Sequence, residues 1–244
     1  MIADILTIVW KESKEFMQGS SRASSVARFV FPIAVAGIFL PWRSGRAYVT
    51  GITAAFGLLW MLPMVAVSFT VDAVAGERER HTLESLLATR LSDQAILFGK
   101  LAASVLYVWG MMLASLVVGL ITVNLRQRHD ALLLFSSTYA ATLLIVSFLG
   151  SILVCSVAVF ISVRASTVRQ AAQTLLYGYI AIIFGAIFAA QALPVSWRLP
   201  VRQILLGTSS IQSQLVAGLI FVALDLAVLA AARHRFQRPR LILD

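Results

Sequence analysis

A series of long, nearly uncharged apolar runs constrains this chain more than any other feature. A helix needs about 20 apolar residues, at about 1.5 Å rise each, to cross roughly 30 Å of hydrocarbon. Runs of this kind occupy residues 24–42, 51–71, 95–123, 131–163, 170–193 and 211–232. Backbone polar groups inside lipid must be satisfied within their own segment, so runs of this kind fold as helices. The expected fold class is all-α, a polytopic helical membrane protein with about six transmembrane helices. One transmembrane domain over residues 1–244 accounts for the chain.

The first run is the weakest, because Arg28 must snorkel and Pro32 interrupts the helix ladder. Trp42 is expected at the opposite interface, Pro63 kinks the second run, and Ser92-Asp93 reads as the start of the third helix. Trp60, Trp109, Tyr177 and Tyr179 lie within runs, where aromatics mostly pack or anchor. Residues 193–210 read equally as an outer surface or re-entrant element and as a plain connecting loop.

Only 13% of residues are charged, about half the roughly 25% of soluble globular chains. The net charge is +9, which in a soluble chain would suggest nucleic acid. Here the positive residues cluster at the ends of apolar runs, so membrane lipid is the expected partner and nucleic acid is not. Cys155, the one cysteine, sits in an apolar run as a buried thiol with no partner for an intrachain disulfide.

The N-terminal stretch does not read as a cleaved signal peptide, since Asp4 is acidic and no positive region precedes the apolar residues. Ile2, Ile5, Leu6, Val9 and Phe16 fall at helical spacing, while Asp4, Lys11, Glu12, Lys14 and Glu15 occupy other faces. Residues 1–20 are therefore expected as an amphipathic helix in the membrane interface, the alternative being a solvent-facing helix packed on a partner. With the N-terminus cytoplasmic, only Arg43, Arg46, Arg126, Arg128, Arg198 and Arg202 of the 20 lysines and arginines fall on the far side. Positive residues concentrate on the inner side of membranes, which places both termini in the cytoplasm and the chain, multi-pass, in the cell inner (cytoplasmic) membrane.

The longest polar interruption is residues 72–94, DAVAGERERHTLESLLATRLSDQ. Leu83, Leu86, Leu87 and Leu91 form one apolar stripe within it. By pattern alone this is either an amphipathic helix docking on a soluble partner or a short interfacial helix with a solvated charged face. The run AGERERHTLESLLATRLSDQAILFGK, residues 75–100, resembles the signature of type-2 ABC-transporter permeases. Gly76-Glu77-Arg78-Glu79 follows the second span, Thr82-Leu83-Glu84 with Leu86-Leu87 comes next, and Gly99-Lys100 opens the third span. The chain departs from that pattern at His81, where Gly is frequent, and at Arg90, where Pro is frequent.

The resemblance implies a membrane-spanning permease subunit of an ATP-driven transporter, mostly exporters in that family. It implies a homodimer of permeases with two copies of a separate ABC ATPase subunit. The coupling residues would be Glu77, Arg78, Glu79, Thr82, Leu83, Glu84, Leu86 and Leu87. The chain has no GxxxxGK[ST] loop, so no cofactor is expected in it, and ATP and Mg would be bound by the ATPase. A haem-exporter-type permease is a close alternative within the class. Short outer loops set the chain apart from members with a large external domain between the first two spans.

An intramembrane enzyme or a membrane assembly factor are rivals from other classes, but no catalytic or metal-ligating set stands out in the sequence. His81, His129 and His234 are scattered. Asp225 is the one acid well inside a span, eight residues before Arg233. It is a transport-pathway candidate that binds a cationic substrate or carries a proton, or else a carboxyl bonded to a neighbouring helix or paired with an arginine.

Overall fold

In a computed structural model, residues 2–18, 22–80, 92–126, 132–192 and 211–235 are described, together with a few positions between 193 and 210. The described residues form helices and no strand. Helix α1 is Ile2–Gln18. Helix α2 covers residues 22–44, as Arg22–Ile33, a wide-turn π segment Ala34–Phe39 and Leu40–Ser44. A short α3, Arg46–Thr50, follows Gly45, whose φ of 55° suits a residue without a Cβ. Helix α4 is Thr53–Glu79, α5 Asp93–Arg126, α6 Ser137–Ser162, α7 Val168–Ala192 and α8 Ile211–Arg235.

Five of these are long and apolar enough to cross a membrane, namely α4, α5, α6, α7 through Ala189 and α8 from Leu215 to Arg233. The protein is an all-α polytopic membrane protein. Helix α2, where the first run was expected to span, is helical throughout its length but is not among those five. The expected surface element at 193–210 lies largely outside the described residues.

Both π segments follow a proline, Pro32 in α2 and Pro63 in α4. Proline removes one backbone donor and its ring crowds the preceding turn, which loosens the ladder nearby. In α4 the wide turns run from Val67 to Gly76 and carry the helix on to Glu79. The apolar run ends at residue 71, so this helix outlasts its hydrophobic signal. The charges that end the apolar run are matched by partners. The Asp72 carboxylate lies 3.7 Å from both Arg28 Nη1 and Arg80 Nη1.

The core lies between α4, α5 and α6, with Val65, Phe69, Val108, Met112, Cys155 and Val159 almost fully buried. A few polar contacts fix the helices against one another. Thr122 donates to the Gly37 carbonyl at 2.9 Å, joining α5 to α2. Tyr179 donates to Leu59 O at 2.6 Å, joining α7 to α4, and Trp109 Nε1 donates to Ser147 Oγ at 3.3 Å, joining α5 to α6. Cys155 is buried, and Thr70 Oγ1 donates to its sulfur at 3.3 Å. Helices α7 and α8 pack on the outside and leave most of their apolar surface uncovered.

Candidate functional site

The site is built at the end of the bundle where α4 finishes and α5 begins. Ser92 caps α5, its hydroxyl accepting from Ala95 N at 3.2 Å, as the Ser92-Asp93 signal predicts. Gly99 comes two turns later. A Cβ added there would stand 2.7 Å from Ile8 Cβ, so the glycine is what lets α1 lie directly on α5. The contact continues along α1, where Phe16 packs edge-on against Phe69 and Tyr107 at ring separations of 5.1 and 5.0 Å.

Lys100, the next residue, is 1% exposed. Its ammonium donates to Glu12 Oε1 at 2.6 Å and to the Ala73 carbonyl in the π segment at 2.9 Å, and it lies 2.8 Å from Glu77 Oε1. Lys11 reaches the same Glu77 oxygen at 2.9 Å and Glu15 at 3.3 Å. One buried network therefore ties α1, α4 and α5 together. Removing water from charges is costly, and only mutual pairing and hydrogen bonds hold such a group in place. Burial pushes the Glu12 carboxyl above its ordinary value, against the pull of the Lys100 ammonium. Burial works to lower Lys11, but its hydrogen bond and charge pairing with Glu77 leave it raised. The carboxylates of Glu12, Glu15 and Glu77 converge closely enough to ligate a cation, but Lys11 and Lys100 already stand among them as counter-charges.

The two residues after Glu77 grip two further helices. Arg78 Nη1 donates to Val163 O at 2.6 Å, at the C-terminal cap of α6. Glu79 Oε2 accepts from Val168 N at 2.9 Å, at the first residue of α7. A cation at a helix C-terminus and a carboxylate at an N-terminus both match the helix dipole. The Glu-Arg-Glu run is thus a junction. Three consecutive residues bind α1 with α5, then α6, then α7.

Of the expected coupling residues, the structure brings Glu77, Arg78 and Glu79 together at this junction. Glu77 is 4% exposed and faces the bundle. Thr82, Leu83, Glu84, Leu86 and Leu87 lie outside the described residues. The expected polar face of α1 is partly turned inward. Ile8, Glu12 and Phe16 form its buried stripe, while Leu6 and Trp10 are exposed. Glu12 went unrecognised as a functional residue because a charge on an amphipathic helix reads as solvated. Its position four residues from both Ile8 and Phe16 was the available signal.

Asp225 stands apart from this junction, on α8. It is 6% exposed, and among the described residues neither carboxylate oxygen has a hydrogen-bond partner.

The family model described as ABC-2 family transporter protein matches residues 6–238. The chain is also similar to the ABC transporter permease protein NatB of Bacillus subtilis (strain 168), at 31% identity over 135 residues, covering 49% of this chain and 34% of the relative. The chain thus spans about a third of that relative's length. With residues 6–238 matched, nearly the whole bundle and both carboxylate partners of Lys100 included, the chain belongs to the ABC-2 family of transporter proteins.

Proposed function

We propose that this chain is the membrane-spanning permease subunit of an ATP-driven exporter and is coupled to a separate ATPase subunit through residues 72–94. In this reading it is a transport subunit and not an enzyme. ATP and Mg are bound by two ATPase copies, and a second copy of this chain completes the path. Helix α2, 23 residues long and so about 34 Å by helix rise, supplies the first of six crossings. Both termini then lie in the cytoplasm, and the chain sits in the inner membrane. The uncovered apolar faces of α7 and α8 are available to lipid or to the second copy.

The observation that carries the reading is the Glu77-Arg78-Glu79 junction. It stands at the root of the segment expected to dock on the ATPase and makes direct bonds to α1, α5, α6 and α7. Packed helices move as rigid bodies, so displacing this root displaces the elements bound to it. Thr82, Leu83, Glu84, Leu86 and Leu87 make the docking contact, and Glu77, Arg78 and Glu79 pass the motion inward. The test is Leu83→Asp with Leu87→Asp in the tagged full chain. Loss of co-purifying nucleotide hydrolysis, with the variant still inserted in the membrane, supports the reading. Undiminished hydrolysis overturns it.

A further inference from the structure

Helices α4, α6 and α8 enclose a cavity of about 240 Å³. Its walls are almost wholly apolar, and among the described residues no Lys, Arg, Asp or Glu lines it. The two hydroxyls in the lining are already engaged. Thr142 donates to Thr138 O at 2.9 Å, and Ser147 donates to Leu144 O at 3.0 Å. Polar groups on a guest therefore gain nothing here, and apolar cavities of this kind stay dry. Leu58, Leu62 and Leu143 line the space from the buried side, whereas Leu59, Ile145 and Val146 of the same lining are 41, 56 and 42% exposed. The cavity is thus continuous with the apolar surface that this membrane protein turns to lipid. Its depth agrees with that. Leu58 and Leu62 lie five and nine residues past Thr53 at the start of α4, about 8–14 Å by helix rise, within the roughly 15 Å of hydrocarbon in one leaflet.

We propose that this cavity is a binding site for one acyl chain of a bilayer lipid, which enters past Leu59, Ile145 and Val146 and lies against Leu58, Leu62 and Leu143. A cavity of about 150 Å³ holds benzene, so about 240 Å³ takes roughly ten carbons by the same ratio. That is part of one chain, with the headgroup left outside. Helix α8 packs along α6, and the chain fills the gap that separates α8 from α4. It supplies the dispersion contacts that an empty space forfeits. The binding needs the bilayer and no ATPase, so it stands apart from the permease reading.

The probe is phosphatidylcholine with a diazirine midway along one acyl chain, in phosphatidylcholine nanodiscs holding the full chain. On irradiation the carbene inserts into neighbouring C–H bonds, and peptide mass spectrometry locates the adducts. Lipid that merely surrounds the protein labels exposed positions such as Leu215 and Leu219 of α8, which serve as the internal reference. The expected result is further adducts at Leu58, Leu62 or Leu143, which are buried and line the cavity. A Cβ added at Gly218 meets nothing within 4 Å, so Gly218→Leu places a side chain at the cavity wall without a clash at its root. Adducts at the three buried leucines then fall about ten- to a hundredfold against the reference, because a chain must overpack a filled space. Protection of buried Cys155 from maleimide shows that the variant is folded. Labelling of the wild type at exposed positions alone overturns the site, whatever the variant does. Adducts at the buried leucines that persist undiminished in folded Gly218→Leu overturn it as well. Either failure leaves ATPase co-purification unaffected, so the two readings fail separately.

Discussion

The Lys100 ammonium lies 2.6 Å from Glu12 on α1 and 2.8 Å from Glu77 on α4, joining residues 88 and 23 positions apart in the chain. Because Gly99 beside it admits the α1 backbone, the Gly-Lys pair works as a unit, the glycine setting the helix separation and the lysine locking it.

Lys100→Met removes the charge that faces two buried carboxylates. Breaking a buried ion group on one side costs about 3–5 kcal/mol, because the remaining charges are left uncompensated. The double variant Lys100→Met with Glu12→Leu is expected to recover a large part of that loss. Thermal unfolding of the detergent-solubilised protein checks both. Equal stability in the single and double variants would show that the charge itself is not the cause.

Gly99→Val places a branched Cβ where 2.7 Å already separates an added carbon from Ile8. Such overpacking costs about 1–3 kcal/mol. The expected outcome is release of α1, read as faster proteolysis within residues 2–18. Ile8→Ala in the same chain should partly reverse it.

Burial raises Glu12, so the folded state holds its proton to higher pH than the unfolded chain does. The folded protein then binds more protons between the ordinary carboxylate value, about 4.3, and the raised one. Stability falls as pH rises through that window. Glu12→Gln cannot titrate, so the difference in unfolding temperature between wild type and Glu12→Gln should shift against wild type across it. A difference that stays flat, or moves in wild type's favour, would contradict the assignment.

Arg78→Ala and Glu79→Ala each remove one helix-end bond, worth about 0.5–2 kcal/mol. Glu79→Ala is expected to raise amide exchange at Val168, whose N–H bonds to Glu79 in the native protein. Exchange at Val168 unchanged from wild type would remove Glu79 from the junction.

The spans were legible because each is a run long enough to cross hydrocarbon with hardly a charge. Their meeting points were less so. The second run stops at residue 71, yet α4 continues to Glu79 because Asp72 and Glu77 find their counter-charges on Arg28, Lys11 and Lys100. Periodicity reports only neighbours on the same element, so a carboxylate matched by a distant helix reads as solvated. The same limit hid Glu12. The Gly99-Lys100 pair was visible as part of a family signature, but its physical purpose needed α1 in place.

In the proposed function this permease works with a separate ATPase through residues 72–94. The most direct measurement is purification of the tagged full chain from its native membrane in mild detergent, followed by mass spectrometry with stoichiometry. The expected result is a stoichiometric partner carrying a GxxxxGK[ST] loop, which dissociates in Leu83→Asp with Leu87→Asp. Recovery of the wild-type chain alone, or only with partners lacking that loop, would contradict it.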